Sequence, residues 1–348
     1  MAAIPIRIGI IGAGGIFKRR HFPGLAKIDD CQVVAVHNRR RESAEAVARE
    51  YGIPHVVDSP EAVYTRDDIN AVFIGTYPNL HRDLTLAALE HGKHVFCQAR
   101  MARNLAEARD MAAAAKQHPD LVTQICIGPR ILAVEPFLKK LIADGELGEL
   151  RLVRLTALLG DALDPETPMH WRFDKELSGN QIMSMGIYVE EFNRIYGPAR
   201  TVSAAGKVFT TRRKDAATGE MRNVEIPETV CITGELENGA HYVYNLSSVS
   251  AFAPGPLIEV YGTRGTFVYE VESQTVRMGR VGSDEALAEV PIPKELRGEW
   301  SVEADFASAI RNGTPVVPDF EEGLRYMQFV EAVAVSLAEG RQVRLPLP

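Results

Sequence analysis

The chain has 348 residues, 46% hydrophobic and 24% charged, a balance that excludes disorder and collagen-like structure and leaves room for two domains. With 39 Lys and Arg against 46 Asp and Glu, the formal net charge is −7, so a general nucleic-acid coat, which needs a basic face, is excluded and no nucleic-acid partner is expected. Four cysteines, Cys31, Cys97, Cys126 and Cys231, lie far apart with no CxxC pair, which makes a reducing cytoplasm the expected compartment.

The opening apolar residues are interrupted by Arg7 and run straight into a glycine turn, so they read as a buried strand and not as a signal peptide. Further short apolar runs follow at 32–36, 71–75, 94–97 and 121–125. Helical patterns separate them. Ala44, Val47, Ala48 and Tyr51 share one face, and Leu80, Leu84, Ala87 and Ala88 share another before Gly92. Asn104 is placed as the N-cap of a helix over 105–117, with Glu107 in the capping-box position. His91 and His94 flank a helix end, and no metal site is expected there. This alternation predicts a parallel sheet covered on both faces.

Past residue 128 the texture changes. A helix is expected over 132–143, then runs rich in β-branched and aromatic residues at 150–158, 201–210, 230–235, 242–248, 257–261 and 267–271. Asn238-Gly239 and the stretch 262–265 are hairpin turns. Two helices, over 302–311 and 321–338, close the chain, and the run Arg212-Arg213-Lys214-Asp215 reads as a solvated hairpin tip. The fold class is therefore α/β: an N-terminal Rossmann dinucleotide-binding domain over 1–128, and over 129–348 an α+β domain with a large, open, mainly antiparallel sheet. No run reaches the ~18–20 apolar residues of a membrane span.

The first strand ends in Gly12-Ala13-Gly14-Gly15-Ile16-Phe17, the strand–turn–helix context in which a G-x-G-x-x-G fingerprint carries meaning. Gly12 permits the turn, Gly14 admits a pyrophosphate, and the helix amides from Gly15 and Ile16 onward face the anion. Phe17 replaces the third glycine and is expected to loosen the helix–strand contact. An NAD site wants an acid about 20 residues on. Here the second strand ends in Asn38-Arg39-Arg40-Arg41, which favours the 2′-phosphate of NADP(H) over NAD(H).

Four blocks then carry a resemblance: the glycine turn, the run from Val72 through Thr76-Tyr77-Pro78-Asn79-Leu80-His81, Glu90-His91-Gly92-Lys93-His94-Val95-Phe96-Cys97, and the helix Leu105-Ala106-Glu107-Ala108-Arg109. Together they resemble the Gfo/Idh/MocA oxidoreductases over nearly the whole length. The resemblance implies a nicotinamide cofactor bordered by Thr76, Tyr77, Asn79, His81 and Gln98. It also implies a C-terminal sheet that often mediates oligomerisation, hence a homodimer or homotetramer. Two blocks depart from the family. Its Glu-Lys-Pro, whose lysine assists proton transfer, is Gln98-Ala99-Arg100 here, and its Asp, Gly and His block is Ser184-Met185-Gly186-Ile187-Tyr188.

With that lysine absent, the candidates for catalysis are Arg100, Tyr188 and His170. Arg100 is too basic to serve as a base and would stabilise an oxyanion, carboxylate or phosphate. A neighbouring Arg100 would lower the Tyr188 phenol from its usual ~10 toward a usable acid/base. His170 titrates near neutrality. Trp171, Arg172, Asn180, Gln181 and Ser184 are candidate substrate contacts, with Asp161 and Asp164 at the rim. The expected activity is hydride transfer between NAD(P) and a hydroxyl or carbonyl of a sugar, polyol or related small molecule. The alternatives are a nucleotide-retaining enzyme that uses transient oxidation for elimination or glycoside cleavage, and a non-catalytic sugar or redox sensor.

Overall fold

The computed structural model describes residues 4–283 and 286–348. Its chain divides into two units, one of residues 1–127 with 301–324, the other of residues 128–300 with 325–348. The boundary expected near 128 places both closing helices in the second unit. The structure instead puts Val302–Asn312 in the first, because Phe306 seats edge-on against Phe73 and Phe96 in that unit's core.

The first unit is built on parallel strands β1 (Ile6–Ile11), β2 (Cys31–His37), β3 (His55–Val56), β4 (Ala71–Ile74), β5 (His94–Cys97) and β6 (Thr123–Ile125), in the order β3-β2-β1-β4-β5-β6. Two-residue β3 is too short to show periodicity and has no counterpart among the expected strands. β4 is buried along its whole length, as expected of a strand covered on both faces. Order reverses about β1, so the ends of β1 and β4 form the switch point at which open α/β sheets take ligands. The Asn104 side chain caps the helix Leu105–Gln117 by accepting from the Glu107 amide. Glu107 does not complete a capping box; its carboxylate accepts from the backbone and guanidinium of Arg103.

In the second unit the sheet contains β7 (Leu150–Leu158), β8 (Thr201–Lys207), β11 (Thr229–Glu235), β12 (His241–Ser247), β13 (Leu257–Gly262), β14 (Gly265–Glu270), β15 (Thr275–Arg280), β16 (Ala288–Glu289) and β17 (Val343–Arg344), while β9 (Arg212–Lys214) and β10 (Met221–Asn223) form a separate hairpin. All described pairs are antiparallel except β7–β12. Asn238-Gly239 does turn β11 into β12, with Gly239 at φ +87°. One face of the sheet buries Tyr242 and Tyr244 against Phe192 and Phe329. The other carries Arg154 paired with Glu259, which also accepts from the Tyr261 hydroxyl.

The charge run at 212–215 is not a solvated tip. Arg213 is fully buried and ion-paired at 2.8 Å with the equally buried Glu228. Its two terminal nitrogens also reach the carbonyls of Ala162, Asp164 and Thr167. Alternation along β9 turns Arg213 inward while Arg212 and Lys214 stay exposed, a periodicity of two that three consecutive cations conceal.

Candidate active site

At the end of β1, Gly12 takes φ +92°, and a Cβ there would lie 2.7 Å from the Gly75 carbonyl carbon, so only glycine fits. The Ala13 amide donates to Asn38 Oδ1 at 2.7 Å, and Asn38 Nδ2 donates to Ser43 Oγ at 3.1 Å. Asn38 thus ties the glycine turn to the helix Arg41–Tyr51. Gly14 and Gly15 are exposed, and a Cβ on Gly14 would meet nothing within 4 Å. Residues 15–25 are continuously helical, with a wide turn over Phe17–His21. Ile16 is half-buried, whereas Phe17 points wholly into the core. Phe17 does not loosen the contact: Gly75 leaves the room its ring fills, since a Cβ there would lie 2.2 Å from Phe17 Cε2. Arg39 and Arg40 are exposed, and among the described residues neither is ion-paired; Arg41 pairs with Glu45 and Asp58.

After β4, Thr76 is half-buried, Tyr77 exposed, and Asn79 holds a buried Oδ1 without a protein partner. His81 is buried. Its Nδ1 faces the Arg100 carbonyl at 2.9 Å and its Nε2 the Thr76 carbonyl at 3.1 Å, so it pins the loop after β4 to the loop after β5. Burial holds its imidazole below the usual range. Gln98, at the end of β5, is nearly buried and contacts His21 Nε2, while His21 Nδ1 contacts Glu303. The carboxylate accepts from Nδ1–H, which leaves Nε2 to accept from the Gln98 amide. Gly24 makes room for Glu303, whose Oε2 a Cβ would approach to 2.2 Å. Arg100 is buried too.

In the second unit the helix Met185–Tyr196 starts after Ser184 and buries Tyr188 and Glu191, three residues apart on one face. The Arg130 guanidinium lies 5.8 Å from the Tyr188 ring centroid and 3.4 Å from Ser184 Oγ. Glu191 Oε1 accepts the amides of Arg130 at 2.9 Å and Ile131 at 3.3 Å. This latches the 128–131 segment to the helix, and Gly128 leaves space for the carboxylate. Burial, outweighing these amides, pushes the Glu191 carboxyl up to about 8. Burial likewise pushes the Tyr188 phenol up to about 12, against the pull of Arg130, so Tyr188 is not lowered as expected and keeps its proton at neutral pH.

The other candidates gather differently. His170 is exposed, and its Nδ1 accepts from the Arg172 amide. The Arg172 guanidinium lies 4.3 Å over the Trp171 ring, covering one face of the aromatic plane expected to stack on a sugar. Asn180 donates to Glu331 at 3.0 Å. Gln181 is fully buried, with Nε2 at 3.0 Å from Met327 Sδ, and belongs to the support beneath Gly186. Asp161 and Asp164 are exposed.

Residues 6–125 match the model of the Gfo/Idh/MocA oxidoreductase family, NAD-binding Rossmann fold, and residues 137–268 match the model of the Gfo/Idh/MocA C-terminal domain. This chain belongs to the Gfo/Idh/MocA family. It is 26% identical to levoglucosan dehydrogenase of Pseudarthrobacter phenanthrenivorans, over 98% of each chain. It is 25% identical to inositol 2-dehydrogenase of Rhizobium meliloti, over 98% of this chain and 99% of that one. A levoglucosan dehydrogenase solved with NADH and L-sorbose superposes with a TM-score of 0.89 at 23% identity, covering 98% of this chain and 99% of that one.

The Gfo/Idh/MocA chain has a first unit that fits a nicotinamide nucleotide: open space at Gly14, a helix start behind it, and an orphaned acceptor on Asn79. No helix is long and apolar enough to cross a membrane, and among the described residues no three His, Cys, Asp or Glu gather as a metal site. Four residues at these sites are absent from the sequence-based candidates: His21, Arg130, Glu191 and Glu303. Spacing could have found Glu191, three residues after Tyr188; nothing in the sequence links Glu303 to His21, 282 positions away.

Proposed function

We propose that this chain is an NADP(H)-dependent oxidoreductase acting on a hydroxyl or carbonyl of a sugar, polyol or related small molecule. The observation that carries the reading is the glycine turn at the switch point, its Gly14 side open, followed within one βα unit by the exposed Arg39 and Arg40. Those two guanidiniums would take the 2′-phosphate, and the turn and the following helix amides the pyrophosphate. A bound nicotinamide supplies the two-electron chemistry. Arg100 would polarise the substrate oxygen. Tyr188, protonated at working pH, would be the proton donor in the reductive direction. His170, exposed on its loop, is the second candidate for moving the proton. Ser184 would hydrogen-bond the substrate.

Fluorescence titration tests the cofactor: NADPH should bind more tightly than NADH, and Arg39→Ala should weaken NADPH alone. Tighter NADH binding overturns the preference. A panel of sugars, polyols and aldehydes tests turnover, and binding without any turnover would favour the sensor reading. The half-exposed sheet face around Arg154 and Glu259 is the surface proposed for a homodimer or homotetramer, which a monomer mass by light scattering would refute. Cytoplasmic location fits cysteines that are all unbridged, and fractionation checks it.

A further inference from the structure

The charge balance around Ser184 points to the kind of substrate the second unit takes. Its well-buried arginines are neutralised: Arg194 pairs with Glu135 at 2.7 Å and Arg213 with Glu228 at 2.8 Å. Arg130 is different. It is half-buried, and among the described residues no carboxylate lies within ion-pair distance of its guanidinium. Its contacts are the Ser184 hydroxyl and the Tyr188 ring. Two acids act on Tyr188, Glu191 and Glu272, and neither is ion-paired with Arg130 among the described residues; Glu191 spends Oε1 on two backbone amides, while its Oε2, fully buried, has no hydrogen-bond partner. Glu191 makes no ion pair with the Arg130 guanidinium among the described residues, and burial, which pushes its carboxyl up to about 8, weakens it as a counter-charge near pH 7. A guanidinium partly withdrawn from water and left without a counter-charge is costly unless an anion joins it.

We propose that Arg130 is a specificity-determining residue that receives an oxyanion group of the substrate, with Ser184 Oγ as the neighbouring donor, so that the preferred substrate is an acidic sugar and not a neutral polyol. The planar guanidinium fork matches a carboxylate with two parallel hydrogen bonds and also accepts a phosphate. The proposal rests on the reading that Ser184 and Tyr188 face the substrate. The Tyr188 ring beneath the guanidinium limits its motion and holds the fork in place.

Isothermal titration calorimetry tests it on the full chain saturated with whichever reduced nicotinamide nucleotide binds more tightly. The probes are D-glucuronate, D-glucose 6-phosphate and myo-inositol, so carboxylate, phosphate and neutral polyol are separate arms. At least one anionic probe should bind tenfold or more tightly than myo-inositol; which one does so identifies the oxyanion. Arg130→Met, and independently Ser184→Asp, should weaken that probe by tenfold or more with nucleotide affinity unchanged, and Arg130→Met should weaken myo-inositol far less than the anion. Arg130→Lys should restore part of the loss, and unchanged nucleotide affinity shows that each variant is folded. Anions that bind no better than myo-inositol, or whose binding survives both substitutions, overturn the proposal. Turnover of neutral polyols in that case leaves the oxidoreductase reading standing. Arg130-dependent anion binding without turnover of any probe sustains the proposal while that reading fails.

Discussion

The two units organise polar groups in opposite ways. In the first, functional positions are set by backbone shape: Gly12 and Gly75 lie too close for any Cβ, Asn38 bolts the turn, and His81 joins two loops through their carbonyls. In the second, side chains set the candidate positions: Arg130 lies against Ser184 and Tyr188 with no carboxylate at ion-pair distance among the described residues, and Glu191 keeps a buried oxygen without a partner. A nicotinamide dinucleotide presents the same pyrophosphate to every enzyme of this fold, so a scaffold of glycines and caps suffices to hold it. A substrate differs between family members, so on the proposed reading the positions that meet it would be set by side chains and not by a shared backbone shape. The second unit does contain a neutralised pair, Arg213–Glu228, and it serves to hold the loop over 162–167.

The contrast breaks most visibly at Gly12. In Gly12→Ala, positive-φ strain of about 1–3 kcal/mol adds to a backbone clash of similar size. Nucleotide affinity should fall by roughly two orders of magnitude or more, with a lowered melting temperature. Gly14→Ala is the control that isolates the ligand: its Cβ meets no protein atom, so the melting temperature should hold while affinity falls. Equal affinity in parent and both variants would remove the turn from the cofactor site.

Arg213→Met tests the neutralised pair in the second unit. Glu228 would be left buried without its cation, a loss of about 3–5 kcal/mol, read as a shift of the urea midpoint. Adding Glu228→Leu should return much of that loss, because the cost lies in the unpaired charge. A single substitution costing under about 1 kcal/mol would mean the pair does not support its loop.

The sequence made the two-unit plan legible because its signals are local. Glycine turns, apolar strands and Asn238-Gly239 each announce a backbone state within a few residues. The same locality explains what it hid. Arg213 stands between Arg212 and Lys214, and composition alone reads three cations as solvated; only strand alternation turns the middle one inward. The Glu303–His21–Gln98 chain joins segments 282 and 77 positions apart, which no spacing rule reaches. Tyr188 was readable as a candidate by its place in the motif. Its high pKa was not, since that follows from burial, which outweighs the lowering pull of Arg130, 58 positions away.

Glu191 gives the smallest effect and the sharpest view of the unbalanced unit. Its folded pKa, about 8, lies above its ordinary value of 4.5, so between those limits the native state holds a proton that the unfolded chain has released. Its contribution is therefore fully present below pH ~4.5 and is lost as pH rises through about 8. Native stability should fall across that window with a slope of up to about 1.4 kcal/mol per pH unit, the value for one proton. Urea unfolding at pH 5, 7 and 9 would show it, and Glu191→Gln, which stays neutral and still accepts the amides of Arg130 and Ile131, should flatten the slope. A slope that survives Glu191→Gln would place the proton elsewhere. It would also mean that Glu191 is ionised at neutral pH and already balances Arg130.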